Sequence, residues 1–176
     1  DRLINCFVER VNMSHREPVS VDESPASVLV GVPDDCGDSD WLIKPYSDTY
    51  WITDLEKQLN MSLPYALRSL VSRYIFPPFD ALGICFFANT PEGTDLHEFR
   101  AKLFDDQVLC PVLLAHRYLR FAQPDLYNYD PICIDMNHGS GIDGAIVRID
   151  HEDILCNGKL NVTEIIAPSL VSLLTR

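Results

Sequence analysis

Four groups able to hold zinc recur around one apolar segment: Cys133 and His138 in a C-x4-H spacing, His151 and Cys156 in an H-x4-C spacing. Thiolates and imidazoles in that number suit a tetrahedral structural site. The spacing is unusual for one, and both cysteines neighbour apolar residues, so core thiols and surface histidines are the plainer reading. Asp150-His151-Glu152, with Asp135 on the preceding segment, offers an acid–base cluster or an open metal site. Against it stands a hydrogen-bonded corner at a strand end. Gly139-x-Gly141-x-x-Gly144 spells the dinucleotide fingerprint, with Glu164 lying 20 residues beyond the last glycine. That motif works by opening a helix whose first amides hold a pyrophosphate. The residues after Gly144 alternate as a strand instead, which assigns the glycines to a hairpin loop, where they tolerate positive φ. Ser140 lacks the nucleophile elbow, no cysteine has a histidine placed to activate it, and there is no Walker-type loop. Nothing here demands an enzyme or a cofactor.

Asp34, Asp35, Asp38 and Asp40 form the densest acidic cluster. By default such a cluster is a solvated loop, and its alternative is a landing surface for a cationic partner. The first 60 residues carry 12 acidic and 5 basic side chains, and the 176-residue chain has a formal net charge of −12 with a pI near 4.6. Such an excess opposes binding to a phosphate backbone or an anionic membrane surface, and its natural complement is a basic protein. With 47% hydrophobic and 23% charged residues, the chain is a packed globular protein of one domain, or one domain with an extension. No apolar run approaches the roughly 20 residues of a membrane helix. The six cysteines, spaced without a C-x-x-C, read as reduced core thiols in a cytoplasmic protein. Asn12, Asn60 and Asn161 begin N-x-S/T sequons, a motif too short to weigh heavily.

The elements follow from hydrophobic periodicity. Leu3, Phe7 and Val11 mark an amphipathic helix; 12–54 is irregular apart from a strand-like 27–32. Thr53-Asp54-Leu55-Glu56 matches a capping box, predicting a helix from there to Leu59, and Ser62 caps a second that carries Pro64 in its first turn. Strands are expected over 81–88, 117–122, 131–136 and 145–152, the last two as a hairpin with one apolar and one mixed face. Helices are expected over 94–104, over 108–115, and after a Ser169 cap. Strands mixed with helices without regular alternation predict an α+β fold.

The string YDPICIDMN over 129–137, then Asp143-Gly144 and VRIDHE over 147–152, resembles the C-terminal signature of the SUKH superfamily, the Smi/Knr-type domain. Glu56-x-x-Leu59 followed by Leu63-Pro64 and Leu67 is similar to that family's opening pattern, and Pro168-Ser169-Leu170 to its closing helix, with Leu170 where an aromatic is common. The resemblance runs from about Trp51 to the C-terminus. It implies a single α+β domain over 51–176 with a mixed, largely antiparallel sheet flanked by helices, and leaves 1–50 as an acidic extension packed on it. It further implies, for most bacterial members, an immunity protein that neutralises a cognate toxin, frequently a nuclease. Others in the family are regulatory interaction modules, so an adaptor with an endogenous partner is the alternative. A metal-dependent hydrolase using Asp135, His151 and Glu152 is the remote one. The expectation is a non-catalytic, cytoplasmic protein with no metal or cofactor, no nucleic-acid or membrane ligand, and a basic toxin as partner, met at Asp34, Asp35, Asp38 and Asp40.

Overall fold

The structure, a computed structural model, describes residues 2–14, 16–22, 24–47, 49–90, 98–125, 128–137 and 144–176. The glycines at 139 and 141, His138 and Ser140 lie outside the described residues, as does the first part of the helix expected over 94–104.

The chain opens with α1 (Arg2–Met13), whose Ile4, Phe7, Val8 and Val11 are buried along one face. A small sheet follows, built from β1 (Val19–Ser20), β2 (Leu29–Val30) and β3 (Asp38–Trp41), with β3 in the middle. β4 (Lys44–Pro45) then pairs with β5 (Tyr74–Ile75) across α2 (Tyr50–Leu59) and α3 (Tyr65–Arg73). The main sheet comprises β6 (Phe79–Ala81), β7 (Ile84–Phe86), β8 (Tyr118–Gln123), β9 (Ile132–Asp135), β10 (Ile146–Ile149) and β11 (Val162–Ala167). Its spatial order is its sequence order, and every pairing is antiparallel, so each strand is joined to the next without a crossover. Helices α4 (Glu98–Lys102) and α5 (Leu109–Ala115) interrupt the meander between β7 and β8, α6 (His151–Asn157) lies between β10 and β11, and α7 (Leu170–Leu174) ends the fold. The architecture is α+β.

Both faces of this sheet are covered except along its edge strand β11, most of which is exposed. Ile132, Ile134 and Ile146 join α1, α2, α3 and α7 in the larger core, while Cys133, Val147 and Ile149 pack with Leu109 and Leu113 of α5 and Ile154 of α6. The hairpin keeps the two faces expected of it: Val147 and Ile149 make an apolar face under α5 and α6, while the other is mixed, with Ile146 in the larger core and the half-buried Arg148 paired with Glu164 at 3.3 Å. Residues 2–50 share the larger core: Phe7 lies 5.8 Å from Phe86, and Trp41 lies 5.7 Å from Phe79, centroid to centroid. Asn12, the first sequon residue, spends its carboxamide on Ile43, accepting from its N–H at 2.9 Å and donating to its carbonyl at 3.0 Å.

Several element ends differ from expectation. α2 starts one turn before the expected box, so Thr53 lies inside it; the buried stripe Trp51, Ile52, Leu55 and Leu59 extends the helix backward. Glu56 instead accepts from Leu63 N–H at 2.9 Å and pairs with Arg68 at 3.4 Å, tying α2 to α3. Pro64, not Ser62, is the N-cap residue of α3. β10 stops at Ile149, where Asp150 caps α6 by accepting from Asp153 N–H at 3.1 Å. Ser169 caps α7 in the same way, its Oγ 3.0 Å from Ser172 N.

The cysteines divide evenly. Cys85, Cys110 and Cys133 are buried, whereas Cys6, Cys36 and Cys156 are exposed, correcting the expectation of six core thiols. Apolar neighbours on both sides mark Cys85 and Cys133 as buried; the exposed three have polar or mixed ones. Burial, then the nearby Asp80 carboxylate, pushes the Cys85 thiol up to about 12, and burial raises Cys110 and Cys133 as well. Since the thiolate is the reactive form, mild alkylation of native protein near neutral pH should modify Cys6, Cys36 and Cys156 and spare the other three. Mass mapping reads this directly, and rapid labelling of Cys133 would contradict the packing described.

Candidate functional site

The acidic cluster sits on the small sheet. Asp34 begins a tight turn, its Oδ1 accepting from Cys36 N–H at 2.8 Å and Asp38 N–H at 2.9 Å, while its own N–H donates to the Asp38 carbonyl at 2.8 Å. These amides hold the Asp34 carboxyl below its ordinary value, the bond from Asp38 contributing most. β3 then alternates: Ser39 and Trp41 point inward, so Asp38 and Asp40 share the outward face. Asp35 lies exposed on the turn. Trp41 anchors the strand from beneath, donating from Nε1 to the Glu17 carbonyl at 3.0 Å. The four carboxylates are therefore presented together by a turn and strand that packing holds in place.

The zinc arrangement does not assemble among the described residues. Cys133 is fully buried in mid-sheet, Cys156 is exposed on α6, and His151 is engaged elsewhere. The hydrolase set is also separated. Asp135 lies at the end of β9 opposite Ala145, bonding Asn137 through N–H and Nδ2 at 2.9 and 2.7 Å. His151 follows Ile149, which pairs with Pro131 at the other end of the hairpin. The residue that does meet His151 is Asp130. Its Oδ1 lies 2.7 Å from Nδ1 and accepts from the His151 backbone N–H at 3.2 Å. Asp130, Asp150 and His151 bring one ligand atom each within 4.8 Å of one another, the one such trio among the described residues. Each of its carboxylates already serves the start of α6, Asp130 through His151 and Asp150 through Asp153, which is the hydrogen-bonded corner. Asp130 is recoverable from register: a residue just before β9 must lie beside one just after β10.

That corner forms one wall of a cleft of about 630 Å³ on the α5 and α6 side of the main sheet. Lys102, Asp105 and Asp106 line it from the α4–α5 connection, Arg120 from β8, and Tyr129, His151 and Leu155 from the opposite side. Tyr129, largely exposed, stands edge-on to His151 with centroids 6.2 Å apart. Arg120 is 8% exposed and its guanidinium carbon lies 4.7 Å from the centre of the Phe87 ring. Asp106 spends its carboxylate on the α5 start, accepting from Val108 and Leu109 N–H at 2.9 and 2.7 Å. Asp105 is nearer Lys102, at 3.4 Å, than Arg120, at 3.9 Å. Sequence reading passed over Arg120 as one residue of a strand.

A scan against protein-family models finds no match to this chain, and searches of curated proteins and of solved structures find none either. No described helix is long and apolar enough to cross a membrane.

Proposed function

We propose that this chain is a cytoplasmic, non-catalytic immunity protein of the SUKH type, which binds and neutralises a basic, nuclease-type toxin domain. The observation that carries the reading is the joint display of Asp34, Asp35, Asp38 and Asp40 on a chain of net charge −12. A nuclease must be basic to hold its phosphate substrate. An acidic face meets it by complementary fields, raises the encounter rate, and covers the surface on which nucleic acid would lie. The YDPICIDMN and VRIDHE strings support the family assignment, and in this structure they form the β9–β10 hairpin and the turn into α6.

The decisive experiment is to clone the open reading frames flanking this gene and express each with and without this chain. Rescue of growth from a toxic basic domain, with a stable complex of the two proteins, is the expected result; toxicity unrelieved by any combination overturns the reading. With the partner in hand, changing all four aspartates to asparagine should slow association at least about tenfold at low salt and flatten its salt dependence, leaving dissociation little altered. Asparagine keeps the side-chain oxygen that Asp34 uses in its turn, so circular dichroism should be unchanged. An association rate indifferent to all four charges would place the interface elsewhere.

A further inference from the structure

We propose that the cleft over Arg120 is a binding site for a small carboxylic acid with an apolar body. This reading goes beyond partner neutralisation and does not depend on it. The argument begins with a charge that lacks compensation. Arg120 is nine-tenths buried, and among the described residues its Nε has no hydrogen-bond partner and its one carboxylate neighbour in ion-pair range is the half-exposed Asp105 at 3.9 Å. Buried guanidinium groups are ordinarily met by close, often bidentate, acceptors. Its stacking on Phe87 supplies part of what is missing, but a ring face is no substitute for an oxygen acceptor.

The surroundings select the ligand. Asp106 is committed to two backbone amides, and Asp105 leans toward Lys102, so neither neutralises Arg120 closely. A ligand carboxylate can approach the terminal nitrogens of Arg120 with Lys102 beside it. Asp130 holds His151 through Nδ1, which leaves Nε2 for a solvent or ligand partner. Leu109, Leu155 and the Tyr129 ring provide apolar surface for the body of such a molecule. The volume of about 630 Å³ lies in the range usual for small-ligand clefts. The two nearby aspartates penalise a second negative charge on the ligand, favouring a carboxylate over a phosphate dianion. The remaining acidity of the chain is screened beyond about 8 Å at physiological ionic strength, so the local pairing decides.

The test is a titration of isotopically labelled wild-type protein with 3-phenylpropionate to millimolar concentration at constant ionic strength, following the Arg120 Nε–H resonance and the amides of Leu109, Tyr129 and Leu155. The expected result is a single saturable isotherm shared by all four. The neutral isostere 3-phenylpropan-1-ol should bind at least about tenfold more weakly, because it lacks the charge-assisted hydrogen bonds. Arg120→Gln should abolish binding; if that variant does not fold, the wild-type titration still decides. An unmoved Arg120 resonance, a chloride control that reproduces the shifts, or equal binding of the alcohol would overturn the proposal. Tighter binding of phenyl phosphate would overturn the carboxylate assignment, and tighter binding of a blocked glutamate would give the cleft to a protein side chain instead.

Discussion

Truncating Phe7 to alanine should lower folding stability by about 3–5 kcal/mol, the usual range for removing a buried aromatic. Phe7 is 1% exposed and sits among rings, 5.8 Å from Phe86 and 6.4 Å from Phe79. Domains of this size hold only about 5–15 kcal/mol in total, so the variant should unfold at a much lower denaturant concentration. The result has a bearing on organisation as well as on packing. If residues 2–50 merely decorated a domain beginning near Trp51, the loss would be small and the remaining transition unchanged. Glu9→Ala, on the exposed side of the same helix, is the control and should change stability by less than about 0.5 kcal/mol. Urea unfolding followed by tryptophan fluorescence measures both, and a Phe7→Ala loss under about 1 kcal/mol would separate α1 from the core.

Gly144→Ala should be comparably severe, about 3 kcal/mol or more, for a different reason. A Cβ at this position would run into the carbonyl oxygen of Asp135, the backbone of the neighbouring strand. Flexible side chains can move aside; a paired strand cannot do so without parting the ladder next to the Asp135 N–H bond to Ala145 O, and overpacking of this kind is destabilising. Gly144 is needed for close approach, not for the positive φ expected of hairpin glycines. Gly158 makes the contrast: it has φ of 62° at the end of α6 and open space around it. Gly158→Ala should cost about 1 kcal/mol, the conformational penalty alone. Thermal unfolding of the two variants ranks them, and a smaller effect at Gly144 than at Gly158 would show that the two strands separate more readily than described.

Periodicity made the strongest elements legible. α1 and α7 each bury one face and are flanked or capped as their residues suggest, and the β9–β10 pair is visible as two apolar runs around a glycine-rich loop. α6 was missed because Asp150-His151-Glu152-Asp153 extends a strand-like run with polar residues. A helix of 7 residues is too short to show a period of its own. β11 was missed because most of it is exposed on both faces, and an edge strand held mainly by its ladder to β10 shows no alternation. The capping box was a true local pattern overruled by a stronger one, the Trp51–Ile52 stripe that carried α2 backward. These omissions explain the site as well. In Leu119-Arg120-Phe121 the arginine falls on the face opposite two core residues, and such a residue reads as facing water. It is buried because α5 and the unforeseen α6 cover that side of the sheet. Asp34, Asp35 and Asp40, in contrast, are as exposed as their composition suggested, and Asp38 is half-buried.

Arg10 reaches the carbonyl oxygens of Leu174 and Arg176, and α1 packs beside α7. The two helices come from opposite ends of the sequence, which has consequences during synthesis. Chains leave the ribosome amino end first, so the apolar stripe of α1 emerges long before its partner. The β6–β7 and β8–β9 ladders join neighbouring segments and can form while translation continues, but the layer that contains Phe7 cannot close until Leu174 is free of the exit tunnel. Until then α1 can be covered only in part, by α3 and the Phe79 and Phe86 rings, and the side that α7 will occupy stays open, a natural ligand for chaperones and a point of aggregation. Slow codons late in the message, which prolong that interval, should lower soluble yield more than the same codons placed early.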